Sequence, residues 1–147
     1  MKRNAARRGF TLVEMLVVIA IVAVLVAVII PTTASATKKS QAATDAANLR
    51  TVLGQADIML LEKTPEEMIT ALSPTVPACK SFPGAQIMVV NNFPAFVDIY
   101  YVDGTNYYGL EYFSDVASGK DPDTVPHSKP TGEGYADGNW VTLSTGE

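Results

Sequence analysis

From Phe10 to Ile30 the chain is apolar at every position except Thr11 and Glu14. Those 21 residues, wound as a helix, rise about 32 Å, enough to cross a bilayer core of about 30 Å. The run therefore reads as a membrane helix. Lys2, Arg3, Arg7 and Arg8 precede it, which places the N-terminus in the cytoplasm and the C-terminal body on the far side. A secretory signal peptide is the competing reading. The apolar stretch is longer than an ordinary h-region, however, and Ala34-Ser35-Ala36 follows it without a clear turn. Glu14 is the anomaly, because a carboxylate among lipid tails needs a partner or a purpose.

The rest of the chain is of another character. Four of the 11 basic residues lie in the first nine positions, while all 15 acidic residues follow Gly9. Beyond Gly9, seven basic side chains face 15 acidic ones, a charge of −8. A body so acidic does not bind nucleic acid by general electrostatics, which needs clustered Lys and Arg. The single cysteine, Cys79, leaves no partner for an intramolecular disulfide, and the lone His127 has no second Cys or His near it for a zinc site. Neither a G-x-x-x-x-G-K loop nor a G-x-G-x-x-G fingerprint occurs, and no nucleophile sits in a catalytic signature, so nothing points to an enzyme or to a cofactor.

Past Pro31 the helical period continues in an amphipathic form. Ala42, Ala46, Leu49, Leu53, Ala56 and Leu60 recur at spacings of 4 and 3, with Lys39, Thr44, Asp45, Arg50 and Asp57 read as lying off that stripe. Pro31 lacks a backbone donor and is expected to kink the helix rather than end it. The pattern predicts one helix from about Thr11 to about Leu61, with 10–30 as its membrane half and 31–62 as its amphipathic half.

A small head, 63–147, follows. Thr64, Pro65 and Glu67 have the spacing of a capping box and predict a short helix ending before Pro74. Two apolar runs flank Asp103-Gly104, a hairpin signal. With those two residues as the turn, Ile99 faces Tyr108 and Val97 faces Leu110. One face then carries Val97, Ile99, Tyr101, Leu110 and Tyr112, and Asp98 and Glu111 lie on the other. "QIMVV" and "WVTLS" predict further strands. The fold class is α+β: a long N-terminal helix packed against an antiparallel sheet of three or four strands.

The segment "RRGFTLVEMLVVIAIVAVLVAVIIP" resembles the class III leader and helix of type IV prepilins and the related pseudopilins. The resemblance covers about the first forty residues, and the head matches only in architecture. It implies a leader peptide, 1–9, removed by a prepilin peptidase that cuts between Gly9 and Phe10 and methylates the new amino group of Phe10. It also implies that Glu14 pairs with the free N-terminus of a neighbouring subunit during assembly. Phe10 and Glu14 lie one helical turn apart, so a contact within one subunit is also open. The partners implied are further copies of the chain in a helical homopolymer, with or without minor pilins, the peptidase, an assembly ATPase and a platform protein. The subunit would sit in the cytoplasmic membrane as a single-pass protein before assembly and in a surface filament afterwards.

Three functions are thus in view: a structural subunit of a type IV pilus serving adhesion or motility, a pseudopilin of a secretion or DNA-uptake system, and a monomeric membrane-anchored binding module. Glu14 favours the first two, since a mere tether gains nothing from a buried acid. The 85 residues from Lys63 to Glu147 also offer little room for a deep pocket beside a packed core. Ala20, Ala23 and Ala27 form a narrow strip that either lets a neighbouring helix approach closely or simply faces lipid. Asp115, Asp121, Asp123 and Asp137 lie in a loop-rich segment whose "YADGNW" somewhat resembles the calcium-binding tail of major pseudopilins. Their spacing is not that of an EF-hand, and the expectation is a solvated acidic loop with no metal. Tyr100, Tyr101, Tyr107, Tyr108, Tyr112 and Phe113 are expected mainly as sheet packing rather than as a stacking platform.

Overall fold

A 51-residue helix, α1, runs from Leu12 to Glu62 in the computed structural model, which describes residues 10–143. The expected leader, with Gly9 and the four basic residues before the apolar run, lies outside the described residues. Helix α1 is continuous across Pro31, where the sequence predicts a bend. The chain divides into two compact units, one ending at Ala36 and one beginning at Thr37.

In the first unit the large apolar side chains from Leu12 to Ile30 are all at least 46% exposed. Apolar surface on that scale is not stable in water, and it marks a segment made for lipid or for other helices. The helix is long and apolar enough to cross a membrane.

In the second unit α1 becomes one wall of a core. Ala42, Ala46, Leu49, Val52 and Ala56 are no more than 3% exposed, and Leu53 and Leu60 pack beside them. Three of these five are alanines, so the opposing layer approaches the helix closely. After α1, Thr64 and Glu67 close the predicted capping box and start helix α2, Pro65–Leu72, which buries Met68 and Leu72. Four strands follow: β1 (Gln86–Asn92), β2 (Phe96–Asp103), β3 (Asn106–Tyr108) and β4 (Trp140–Leu143). They form one antiparallel sheet in the order β3-β2-β1-β4. Ile87, Val89, Ile99, Tyr101, Tyr108 and Leu143 share the inner core with the buried stripe of α1.

The hairpin differs from its prediction in two ways. The turn residues are Gly104 and Thr105, so Tyr101 faces Tyr108 and Asp103 faces Asn106, while Ile99 faces Val89. Gly104 takes φ 59°, which a glycine adopts at little cost and an aspartate does not. Because the register moves by two residues, the buried face of β2 is unchanged: Val97, Ile99 and Tyr101 still point inward. Leu110 and Tyr112 are not strand residues either. The chain leaves the sheet at Gly109 and forms helix α3, Leu110–Ala117, which buries Tyr112, Phe113 and Val116. The alternation of Tyr108, Leu110 and Tyr112 mimics a strand, but Phe113 beside Tyr112 breaks it, and the spacing from Tyr112 to Val116 is helical.

Asp45 corrects a second expectation. It lies on the buried face, not off it, and is 0% exposed. Its two carboxylate oxygens accept from the backbone N–H of Lys80 at 2.8 Å, the N–H of Ser81 at 2.8 Å and the Ser81 hydroxyl at 2.6 Å. The Cys79 thiol approaches it at 3.5 Å. One helical carboxylate thus fastens the proline-rich loop between α2 and β1, and the Tyr101 hydroxyl holds the same loop through the Pro77 carbonyl. Burial pushes the Cys79 thiol up to about 12, so it stays protonated and unreactive at neutral pH.

Asp45→Ala leaves two loop N–H groups without their acceptor and should lower the unfolding free energy by about 3 kcal/mol. Denaturation of the full chain in detergent micelles, followed through the fluorescence of Trp140, measures the change. Cys79 should react with a maleimide at about pH 8 far more slowly in the folded chain than in the unfolded one.

Candidate functional site

The first turn of α1 gives Glu14 a defined place. With Leu12 as the first helical residue, Thr11 occupies the N-cap and Glu14 the third position. Glu14 Oε2 accepts from the Thr11 N–H at 2.8 Å and from the Thr11 hydroxyl at 2.8 Å, and the Thr11 Oγ1 accepts from the Glu14 N–H at 3.2 Å. This is a capping box, the same device as Thr64 and Glu67 at the start of α2. The box gives acceptors to the N–H groups of Thr11 and Glu14, two of those that a helix start leaves without an intrahelical partner.

The site residues expected from the sequence are placed as follows. Gly9 lies outside the described residues. Phe10 precedes the helix and is 76% exposed. Glu14 bonds to Thr11. Pro31 lies in the interior of α1. Both hydrogen bonds from Thr11 land on one carboxylate oxygen, Oε2. The other oxygen, Oε1, makes no hydrogen bond among the described residues.

Thr11 is the residue the sequence reading missed. The signal was available, because Thr11-Leu12-Val13-Glu14 has the S/T-x-x-E spacing that identified the cap at Thr64.

Residues 4–30 match the family model for the prokaryotic N-terminal methylation motif. The chain carries the class III signal peptide of type IV pilins and pseudopilins. No curated protein and no solved structure matches the chain. The motif spans the leader and the apolar part of α1, and a long helix followed by a small four-stranded antiparallel sheet is the pilin-like α+β architecture. A motif of this type belongs to structural proteins, and in general it implies processing by a prepilin peptidase and use of pilus assembly machinery. With the long apolar helix, it fits membrane anchoring before assembly.

The acidic segment of this pilin-like head does not form a cluster. Asp115 pairs with Lys120 at 2.6 Å, Asp137 pairs with Lys129, and Asp121 caps a short turn by accepting from the Asp123 N–H at 3.1 Å. Among the described residues no group of three or more His, Cys, Asp or Glu side chains could hold a metal. The tyrosines divide between two surfaces. Tyr101, Tyr108 and Tyr112 are core with Phe113, while Tyr100 and Tyr107 lie half-buried on the other face of the sheet.

Thr11→Val removes both bonds made through the hydroxyl and keeps the Thr11 N–H bond; Thr11→Ser keeps all three. Hydrogen exchange at the Glu14 amide should accelerate in the valine variant and stay near the parent rate in the serine variant.

Proposed function

We propose that the chain is a structural subunit of a type IV pilus or pilus-like filament. It is cut between Gly9 and Phe10, methylated on the amine of Phe10, and polymerised through α1. The match of residues 4–30 to the methylation motif carries this reading. The physics supports it: an exposed apolar helix exchanges lipid for neighbouring helices with little change in surroundings, and the Ala20, Ala23 and Ala27 strip admits close approach. A bend at Pro31 belongs to the same proposal, as a place where the helix adjusts when it leaves the bilayer.

Glu14 is the assembly residue in this reading. Thr11 occupies Oε2, and Oε1, which makes no hydrogen bond among the described residues, is the oxygen offered to a cation. The new α-ammonium of Phe10 on a neighbouring subunit is such a cation, and both charges gain by meeting in an apolar medium where each alone is costly. The contact sets the register of the incoming subunit. The machinery that lifts the subunit is supplied in trans, since the chain has no nucleotide-binding motif.

Peptide mass spectrometry on filaments sheared from cells tests the proposal. A peptide beginning at Phe10 with a methylated amine should be abundant there. If that peptide is confined to the membrane fraction, the chain is a pseudopilin or a minor subunit instead. Chains that retain Met1 to Gly9 in every fraction would overturn the processing claim. Glu14→Ala should be cleaved at close to the parent level and fail to enter filaments, and normal filaments from that variant would remove Glu14 from the mechanism.

A further inference from the structure

An open groove of about 730 Å³ runs over the head, lined by β2, β3, the start of α3, the segment after Val125 and the α1 residues Arg50 and Leu53. Its volume falls in the range of small-molecule sites, and its open side admits a chain rather than enclosing a single small ligand. The lining alternates polar and aromatic groups. Arg50 and Lys129 bring positive charge, Asp98 and Glu111 bring negative charge, and Tyr100, Tyr107 and Tyr135 bring rings and hydroxyls. Lys129 is already paired with Asp137, which leaves Arg50 against Asp98 and Glu111, so the groove has no excess of cations for an acidic ligand. A fatty chain would leave the charged groups without partners, and nucleic acid needs an excess of cations. An extended peptide adding to β3 finds that edge in use, because the Tyr107 N–H already donates to the His127 carbonyl at 2.6 Å.

A sugar hydroxyl both donates and accepts, so it can pair with the Arg50 guanidinium and with either carboxylate, Asp98 or Glu111. Capacity remains on each side. Asp98 accepts from the hydroxyls of Tyr100 at 2.9 Å and Tyr135 at 3.2 Å, which uses about half of a carboxylate's acceptor positions. The guanidinium of Arg50 donates to the Ser114 hydroxyl at 3.1 Å and makes no ion pair among the described residues. The rings are held before any ligand arrives. Tyr107 meets Trp140 edge to face at 5.1 Å, Tyr100 lies 5.6 Å from the same indole, and the Lys129 ammonium sits 5.4 Å above it. Gly109 makes room for Tyr100, since a Cβ there would come within 2.8 Å of its ring. Rings fixed in this way cost little ordering entropy on binding. We propose that this groove is a binding site for a neutral oligosaccharide chain, with Tyr107 and Tyr100 under the sugar faces and Arg50, Glu111 and Asp98 on the hydroxyls. The proposal is independent of the filament reading.

Calorimetric titration of the full chain in lipid nanodiscs tests it, with cellotetraose, chitotetraose and mannotetraose as neutral probes and tetraglutamate and tetralysine as charged ones. At least one tetrasaccharide should bind saturably with a Kd below about 1 mM, and added salt should change that Kd little. Arg50→Gln and Glu111→Gln alter exposed side chains outside the core, and each should weaken binding about tenfold, the loss of one charge-assisted hydrogen bond. Tyr107→Phe, which keeps the ring, should bind nearly as the parent does, and Lys80→Gln, outside the groove, should change nothing. The proposal is overturned if none of the three tetrasaccharides binds at about 10 mM, or if binding survives both Arg50→Gln and Glu111→Gln. It is equally overturned if a charged peptide binds and the saccharides do not, which would make the groove a surface for charged peptides.

Discussion

The first N–H groups of a helix lack partners within the helix, and at the start of α1 Thr11 and Glu14 satisfy two of them, their own, through a reciprocal pair of bonds. The cap gives the one carboxylate in an apolar run a structural role at the helix start. The cap fixes where the helix begins, and so leaves Phe10 ahead of it in non-helical backbone. It also fixes the carboxylate by one oxygen. A group tethered in this way has lost much of its rotamer freedom before it meets a partner, so any later ion pair has less entropy to overcome. Capping engages Oε2 alone among the described residues, so the docking contact proposed for Glu14 falls to Oε1.

The head is organised around a second carboxylate with an opposite fate. Glu14 is exposed, while Asp45 is sealed beneath the loop from Cys79 to Ser81. Its four contacts come from a segment rich in proline, which has few backbone donors of its own and forms no regular structure. The acceptor on α1 ties the backbone of that segment to the helix, beside the packing of Val76, Cys79 and Phe82 on the core. Ala42 and Ala46 flank Asp45 and keep the helix surface low enough for the loop backbone to reach the carboxylate.

The sequence reveals the long helix, both ends of α2 and the strands β1 and β4, because each is marked by a strong period or a cap. It misplaces β3 and misses α3, where several aromatic residues in a row satisfy strand and helix templates over the same positions. The hairpin turn lies one residue later than expected, and the pairing register two, because Asp103-Gly104 and Gly104-Thr105 both offer a glycine, and the positive φ falls on Gly104 as the first turn residue in the pairing observed. Asp45 was legible in geometry, since it lies three residues after Ala42 and four before Leu49, on the stripe itself. Counting only apolar residues hides it, as it hides a buried acid in any helix whose partner loop is distant in sequence. The Thr11 cap was legible outright, from the same S/T-x-x-E spacing that marks Thr64 and Glu67.

The paired tyrosines show how one small sheet serves two surfaces. Neighbouring residues in a strand point to opposite faces, so Tyr100-Tyr101 and Tyr107-Tyr108 each send one ring inward and one outward. Tyr101 and Tyr108 face each other across the strands inside the core, next to Phe113 and Phe82. Tyr100 and Tyr107 stand on the other side against the ring of Trp140, and the Tyr100 hydroxyl also donates to the Asp98 carboxylate. Substituting an outer ring therefore alters the groove while the inner layer keeps its contacts, and the reverse change unsettles the fold. A head built this way can change what its surface meets without changing how it packs on its helix.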